Sequence, residues 1–112
     1  WNILLDQHGG PNHVGNFCFA PVHADLESGE LIYTPSYYYI GHFSKFIRPG
    51  ARRISATSNR SFLLVTAFEN ESGETVTVVM NKTDEALEYD LHAENGNVRL
   101  QIPARALQTI VY

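Results

Sequence analysis

A chain of 112 residues, 44% hydrophobic and 18% charged, has the make-up of one globular domain or of a piece of a larger one, and its composition argues against intrinsic disorder. A formal net charge of −4 gives no electrostatic reason to expect nucleic acid, whose binding needs a basic face. No apolar run approaches the roughly 18 residues of a membrane-spanning helix, and the single cysteine, Cys18, permits no internal disulfide.

Taken in chain order, Trp1 to Leu5 is a short apolar run of the kind that forms a buried strand. "DQHGGPNHVGN", Asp6 to Asn16, is dense in glycine, proline and asparagine and predicts a loop. An indole at a strand end followed by such a loop is a normal way to wall a ligand pocket, which makes Trp1 a candidate. Cys18, between Phe17 and Phe19, reads as a small packed hydrophobe rather than a nucleophile. "PVHADL" and "ELIYT" flank Glu27, Ser28 and Gly29 and predict a hairpin.

Thr34 and Pro35 form a helix start, a capping hydroxyl followed by a proline whose φ is already set. Tyr39, Phe43 and Phe46, with Ile40 and Ile47, then make one apolar helical stripe, and Arg48, Pro49 and Gly50 stop it. The basic residues Lys45, Arg48, Arg52 and Arg53 read as a solvated turn.

From Arg52 onward the period changes to two. "RRISATS" and "SFLLVTAFE" come first, the second apolar enough for a strand covered on both faces. "ETVTVVMN" follows the turn "NESG". "LEYDLH" alternates, with Leu87, Tyr89 and Leu91 on one face; "VRLQI" returns after "ENGN" with Val98, Leu100 and Ile102 inward. Pro103 precedes the last run, "ALQTIVY". Short strands at this spacing read as an antiparallel sandwich. The fold class is therefore mainly β, with two unlike parts: 1–50 (strand, loop, hairpin, helix) and 51–112 (sandwich).

A self-contained active site is not visible. His8, His13, His23, His42 and His92 show no metal-ligand spacing. Nucleophile-elbow and phosphate-loop motifs are absent. Glu27, Glu30, Glu71, Glu74, Glu85 and Glu94 sit in turns, where solvation accounts for them. Tyr37, Tyr38 and Tyr39 point in different directions on a helix, so packing explains them more cheaply than sugar stacking. The triplets beginning at Asn59, Asn70 and Asn81 fit the N-x-S/T glycan-acceptor pattern, but they lie where asparagine and serine belong in turns anyway.

Two blocks carry a resemblance. "WNILLDQHGGPNHVGNFCFAPV" and "YYYIGHFSKFIRPGARRI" resemble the C-terminal part of glycoside hydrolase family 30, the glucosylceramidase-like enzymes, strongly over 1–54 and more loosely to Tyr112. The resemblance implies a (β/α)8 barrel with a β-sandwich side domain and retaining β-glycosidase chemistry on glucosylceramide (sphingolipid metabolism), β-1,6-glucan or related substrates. Trp1–Leu5 would then be the eighth barrel strand, Pro35–Ile47 the eighth barrel helix and 51–112 the side sandwich.

It further implies that Trp1 and Asn16, with Phe17 beside them, line the sugar pocket at the C-terminal end of a barrel strand. The family's two catalytic glutamates come from earlier strands, so no catalytic residue is expected in this chain, and neither a metal nor a cofactor. A whole barrel takes about 250 residues, so the chain is expected to be a piece of something longer. Retaining chemistry needs two carboxyl groups about 5–5.5 Å apart, and the chain alone is expected to be inactive. The partners implied are a β-glucoside or glucan and the remainder of the barrel, with a secreted or extracellular location. Unpaired strand edges would favour self-association of the isolated chain. The alternative is a stand-alone sandwich that binds carbohydrate or a protein.

Overall fold

The computed structural model describes residues 2–112. The chain divides into two compact units, Trp1–Gly41 and His42–Tyr112.

In the first unit, β1 (Leu4–Asp6) pairs in parallel with β2 (Val22–Ala24), and β2 pairs antiparallel with β3 (Leu31–Tyr33), giving the order β1-β2-β3. The expected hairpin forms, closed by the Asp25 amide donating to the Glu30 carbonyl at 2.9 Å. The strand expected over Trp1–Leu5 lies slightly later, because the pairing of Leu4, Leu5 and Asp6 with Val22, His23 and Ala24 defines it. The unit buries little apolar surface: Ala20 and Val22 are covered, whereas Leu4, Leu31, Ile32 and Tyr33 are exposed.

Helix α1 (Pro35–Ser44) starts where Thr34 and Pro35 predict and ends before the expected Ile47. The Phe46 and Ile47 amides both turn back to the Phe43 carbonyl, a tightened last turn. Thr34 does not act as a capping hydroxyl. Its Oγ1 donates to the carbonyl of Pro21 at 3.0 Å, and the Tyr37 amide bonds the Thr34 carbonyl instead. No residue of the helix is buried, so the apolar stripe at Tyr39, Ile40 and Phe43 is exposed.

The second unit is a sandwich. One sheet has the order β4 (Arg52–Ile54), β5 (Leu63–Glu69), β6 (Thr75–Asn81), β9 (Leu107–Val111), antiparallel throughout. The other is the hairpin of β7 (Leu87–Ala93) and β8 (Gly96–Ile102). Strand β6 is central, and Val76, Val78 and Val79 are the heart of the core with Ala67 and Ile102. The strand covered on both faces is thus β6 rather than β5, whose Leu64 is exposed.

Alternation holds along β7, where Leu87, Tyr89 and Leu91 are the sheltered residues. Of the inward set expected on β8, Val98 is exposed and Ile102 fully buried. The two-residue loop Glu94–Asn95 needs Gly96 at φ +137°. Three attachments fasten the sandwich. Tyr89 donates its hydroxyl to Gln108 Oε1 at 2.8 Å, and burial raises its pKa. His42 Nδ1 lies 2.9 Å from Thr109 Oγ1. Asn70 Nδ2 donates to the Phe46 carbonyl while its Oδ1 accepts from the Arg48 amide, both at 3.0 Å.

The three glycan-acceptor triplets separate on burial. Asn59 is exposed, whereas Asn70 and Asn81 are buried and hydrogen-bonded.

Candidate functional site

The long loop between β1 and β2 is closed on itself by main-chain bonds. The Gly9 amide donates to the Asp6 carbonyl at 3.1 Å, and the His8 amide to Asp6 Oδ1 at 2.9 Å, so the chain reverses as it leaves β1. Gly10 and Cys18 then exchange both amide–carbonyl bonds, at 3.2 and 3.0 Å. That bridge pinches off a tip containing one 3-10 turn, Asn12–Val14, which ends at Gly15 with φ +66°.

The first glycine of the pair is required by space. Gly9 has φ +66°, and a Cβ there would lie 2.5 Å from the Cys18 carbonyl oxygen, far inside van der Waals contact. "GGPN" therefore encodes a close main-chain approach.

Asn16 and Phe17 sit where the tip returns toward the Cys18 bridge, and both side chains are exposed; Phe17 is 59% accessible. Trp1 lies outside the described residues. Phe17 packs edge-to-face on Phe19, with ring centroids 5.0 Å apart, and Phe19 in turn on His23, at 5.4 Å. Cys18 is exposed, contrary to the packed position expected for it. Its neighbours Phe17 and Phe19 are exposed as well, so the apolar triplet builds a surface rather than a core.

His23 is the residue sequence reasoning passed over. It is 6% exposed in β2, and both ring nitrogens are engaged. The Ala20 amide donates to Nε2 at 3.0 Å, and Nδ1 lies 2.8 Å from the Asp6 carbonyl oxygen. An amide donating to Nε2 requires a bare nitrogen there, so the proton resides on Nδ1 and is donated to Asp6. The available signal was a histidine on the strand segment "PVHADL", whose neighbours are mostly apolar.

The carboxyl groups that depart from their ordinary value all move down. Asp25 is lowered by the Glu27 and Ser28 donors of its turn, Asp84 by the Arg105 guanidinium, and Asp90 by Arg99 across the β7–β8 pair. Each is thereby stabilised as a carboxylate. No group of three or more histidine, cysteine or acidic residues able to hold a metal occurs among the described residues. In the second unit, a cleft of about 650 Å³ opens between the sheets, with Arg60, Phe62, Tyr89, Asp90 and His92 on its walls.

Comparison with known proteins places the chain in a family. The sequence model of the glycosyl hydrolase family 30 TIM-barrel domain matches residues 1–47, and that of the family's beta sandwich domain matches residues 50–110. The chain is 38% identical over 86 residues to the lysosomal acid glucosylceramidase of Mus musculus, covering 76% of this chain and 17% of that protein. It is 37% identical over 117 residues to putative glucosylceramidase 1 of Caenorhabditis elegans, covering 97% of this chain and 22% of that protein.

Among solved structures, SrfJ from Salmonella typhimurium superposes over all of this chain and 25% of its own, with a TM-score of 0.94 at 36% identity. An endo-beta1,6-glucanase superposes over 97% of this chain and 25% of its own, with a TM-score of 0.86 at 26% identity. The chain thus spans about a fifth of the length of these curated relatives. On the match of both domain models, this chain belongs to glycosyl hydrolase family 30.

Proposed function

We propose that these residues are the C-terminal portion of a retaining β-glycosidase. In this reading Trp1–Gly50 supplies the last strand, site loop and helix of the barrel, and 51–112 is a bracing sandwich. Trp1, Asn16 and Phe17 form part of the wall of the sugar pocket, and the two catalytic glutamates belong to earlier strands of the longer polypeptide. The observation that carries the reading is the uninterrupted succession of the two domain matches, barrel then sandwich, along one chain.

The loop supports it further. It leaves the C-terminal end of a strand with a parallel neighbour, the place where barrel enzymes carry their site residues. Its exposed amide at Asn16 and aromatic face at Phe17 suit the hydroxyls and ring faces of a pyranose. The names of the relatives point to a β-glucoside, either glucosylceramide or a β-1,6-linked glucan.

The test compares the longer polypeptide with the 112-residue chain on an aryl β-glucoside, on glucosylceramide and on β-1,6-glucan. The longer polypeptide is expected to release sugar with retained anomeric configuration, and the chain alone to release none. Asn16→Ala in the longer polypeptide is expected to raise KM. Turnover by the chain alone, or inversion at the anomeric carbon, would refute the reading.

A second reading, carbohydrate binding by the sandwich itself, has one observation in its favour, the polar and aromatic cleft between the sheets. Titration with β-glucan oligosaccharides would show chemical-shift changes at Arg60 and His92 if it holds, and none at millimolar sugar if it does not.

A further inference from the structure

The geometry points to His23 as a positioning residue: a neutral imidazole that clasps the two ends of the site loop and sets the aromatic face it presents. The inference rests on the reading of the Asn16–Phe17 loop as a sugar-pocket wall and names what holds that wall in place.

The Asp6 carbonyl that receives Nδ1–H closes the loop's outgoing end, and it also receives the Gly9 amide. The Ala20 amide that donates to Nε2 belongs to the loop's returning end. One ring therefore spans the chain from Asp6 to Ala20, and it does so with one donor and one acceptor of opposite requirement. β1 ends at Asp6 and β2 begins at Val22, and the Gly10–Cys18 bridge closes the loop only farther out, so the two ends at the strands are joined through the imidazole.

The ring is buried, so losing either bond would leave a polar group unsatisfied where water has little access. His23 also forms the base of an aromatic ladder. Phe19 packs edge-on against the imidazole and Phe17 edge-on against Phe19, at 73° and 89° between planes. Edge-to-face contacts fix ring orientation as well as distance. The direction of the exposed Phe17 face is thereby tied to a ring that does not itself face solvent.

No simple substitution keeps both halves of the clasp. Glutamine places an amide oxygen near the Nε2 position and keeps the acceptor for Ala20. Asparagine places an amide nitrogen near the Nδ1 position and keeps the donor to Asp6. Leucine keeps apolar bulk and neither bond.

The experiment uses the longer polypeptide with His23→Gln, His23→Asn and His23→Leu, and three readouts. Imidazole nitrogen spectra of histidine-labelled wild type should show a neutral His23 protonated on Nδ1. Hydrogen exchange at the Ala20 amide should accelerate in His23→Asn and His23→Leu but stay near wild type in His23→Gln. With an aryl β-glucoside, His23→Leu, which loses both bonds, should raise KM about tenfold, with kcat nearly unchanged, and His23→Gln should recover part of it.

An Nε2-protonated ring in wild type would overturn the clasp. So would Ala20 exchange that is the same in the Gln and Asn variants, or a His23→Leu protein that is folded and has wild-type KM. Wild type that cleaves no β-glucoside would instead sink the sugar-pocket reading, while the tautomer and the Ala20 exchange still judge the clasp. Should His23→Leu not fold, the tautomer of wild type and the Gln–Asn comparison decide.

Discussion

Asn81 carries the sharpest stability prediction. It is fully buried at the end of β6, and its side chain makes four hydrogen bonds. Nδ2 donates to the carbonyls of Glu85 at 2.8 Å and Pro103 at 2.9 Å, while Oδ1 accepts from the Thr83 amide at 2.9 Å and the Thr83 hydroxyl at 2.8 Å. The amide thus holds the β6–β7 connection and the end of β8 together. At about 1 kcal/mol net per bond, with water able to re-solvate the exposed Glu85 end, Asn81→Ala should cost about 3 kcal/mol.

Asn81→Asp discriminates further. It replaces the donor by a carboxylate oxygen facing two carbonyls, so at pH 8 it should be less stable than Asn81→Ala. Burial would raise the new acid's folded pKa above its unfolded one. The penalty is therefore full above the folded value and fades as pH falls toward the unfolded value near about 4. Urea unfolding followed by circular dichroism, with linear extrapolation at pH 8 and pH 5, measures both effects. An Asn81→Ala chain within about 0.5 kcal/mol of wild type, or an Asn81→Asp chain whose deficit does not shrink at pH 5, would refute the reasoning.

Three further outcomes are expected. Gly9→Ala meets both a left-handed backbone, worth about 1–2 kcal/mol for an L-residue, and the Cys18 carbonyl; faster exchange of the Gly10 and Cys18 amides would register the opened bridge, and unchanged protection would contradict it. Asp84 is held below its ordinary 3.8 by the Arg105 hydrogen bond, so its contribution is fully present above that value and disappears as pH falls through the lower folded value. The stability difference between wild type and Asp84→Asn should accordingly be small and constant at neutral pH and vanish in acid, as an acid-titration series of melts would record. Finally, the isolated chain should self-associate through the unpaired edge of β1 and the exposed apolar residues of β3 and α1, giving a light-scattering mass that rises with concentration; a constant monomer mass would rule this out.

Local patterning made much of the fold legible. The hairpin around Gly29, the helix beginning at Pro35 and the β strands from Arg52 onward follow from turn residues and from periods of two and 3.6, which depend only on neighbours in the chain. The family was legible because the blocks containing "GGPN" and "GHFSKF" match its pattern, and Gly9 against Cys18 is one place where the main chain admits few alternatives. Quantities set by distant partners were not legible. Which apolar residues are covered depends on what stands opposite them, so Leu64, Val98 and Cys18 are exposed although their local pattern reads as buried, and β6 became the most enclosed strand by lying between β5 and β9. The same holds for His23. Its two partners lie 17 residues and 3 residues away along the chain, and only the parallel register of β1 on β2 turns an unremarkable strand histidine into the fastening of a loop.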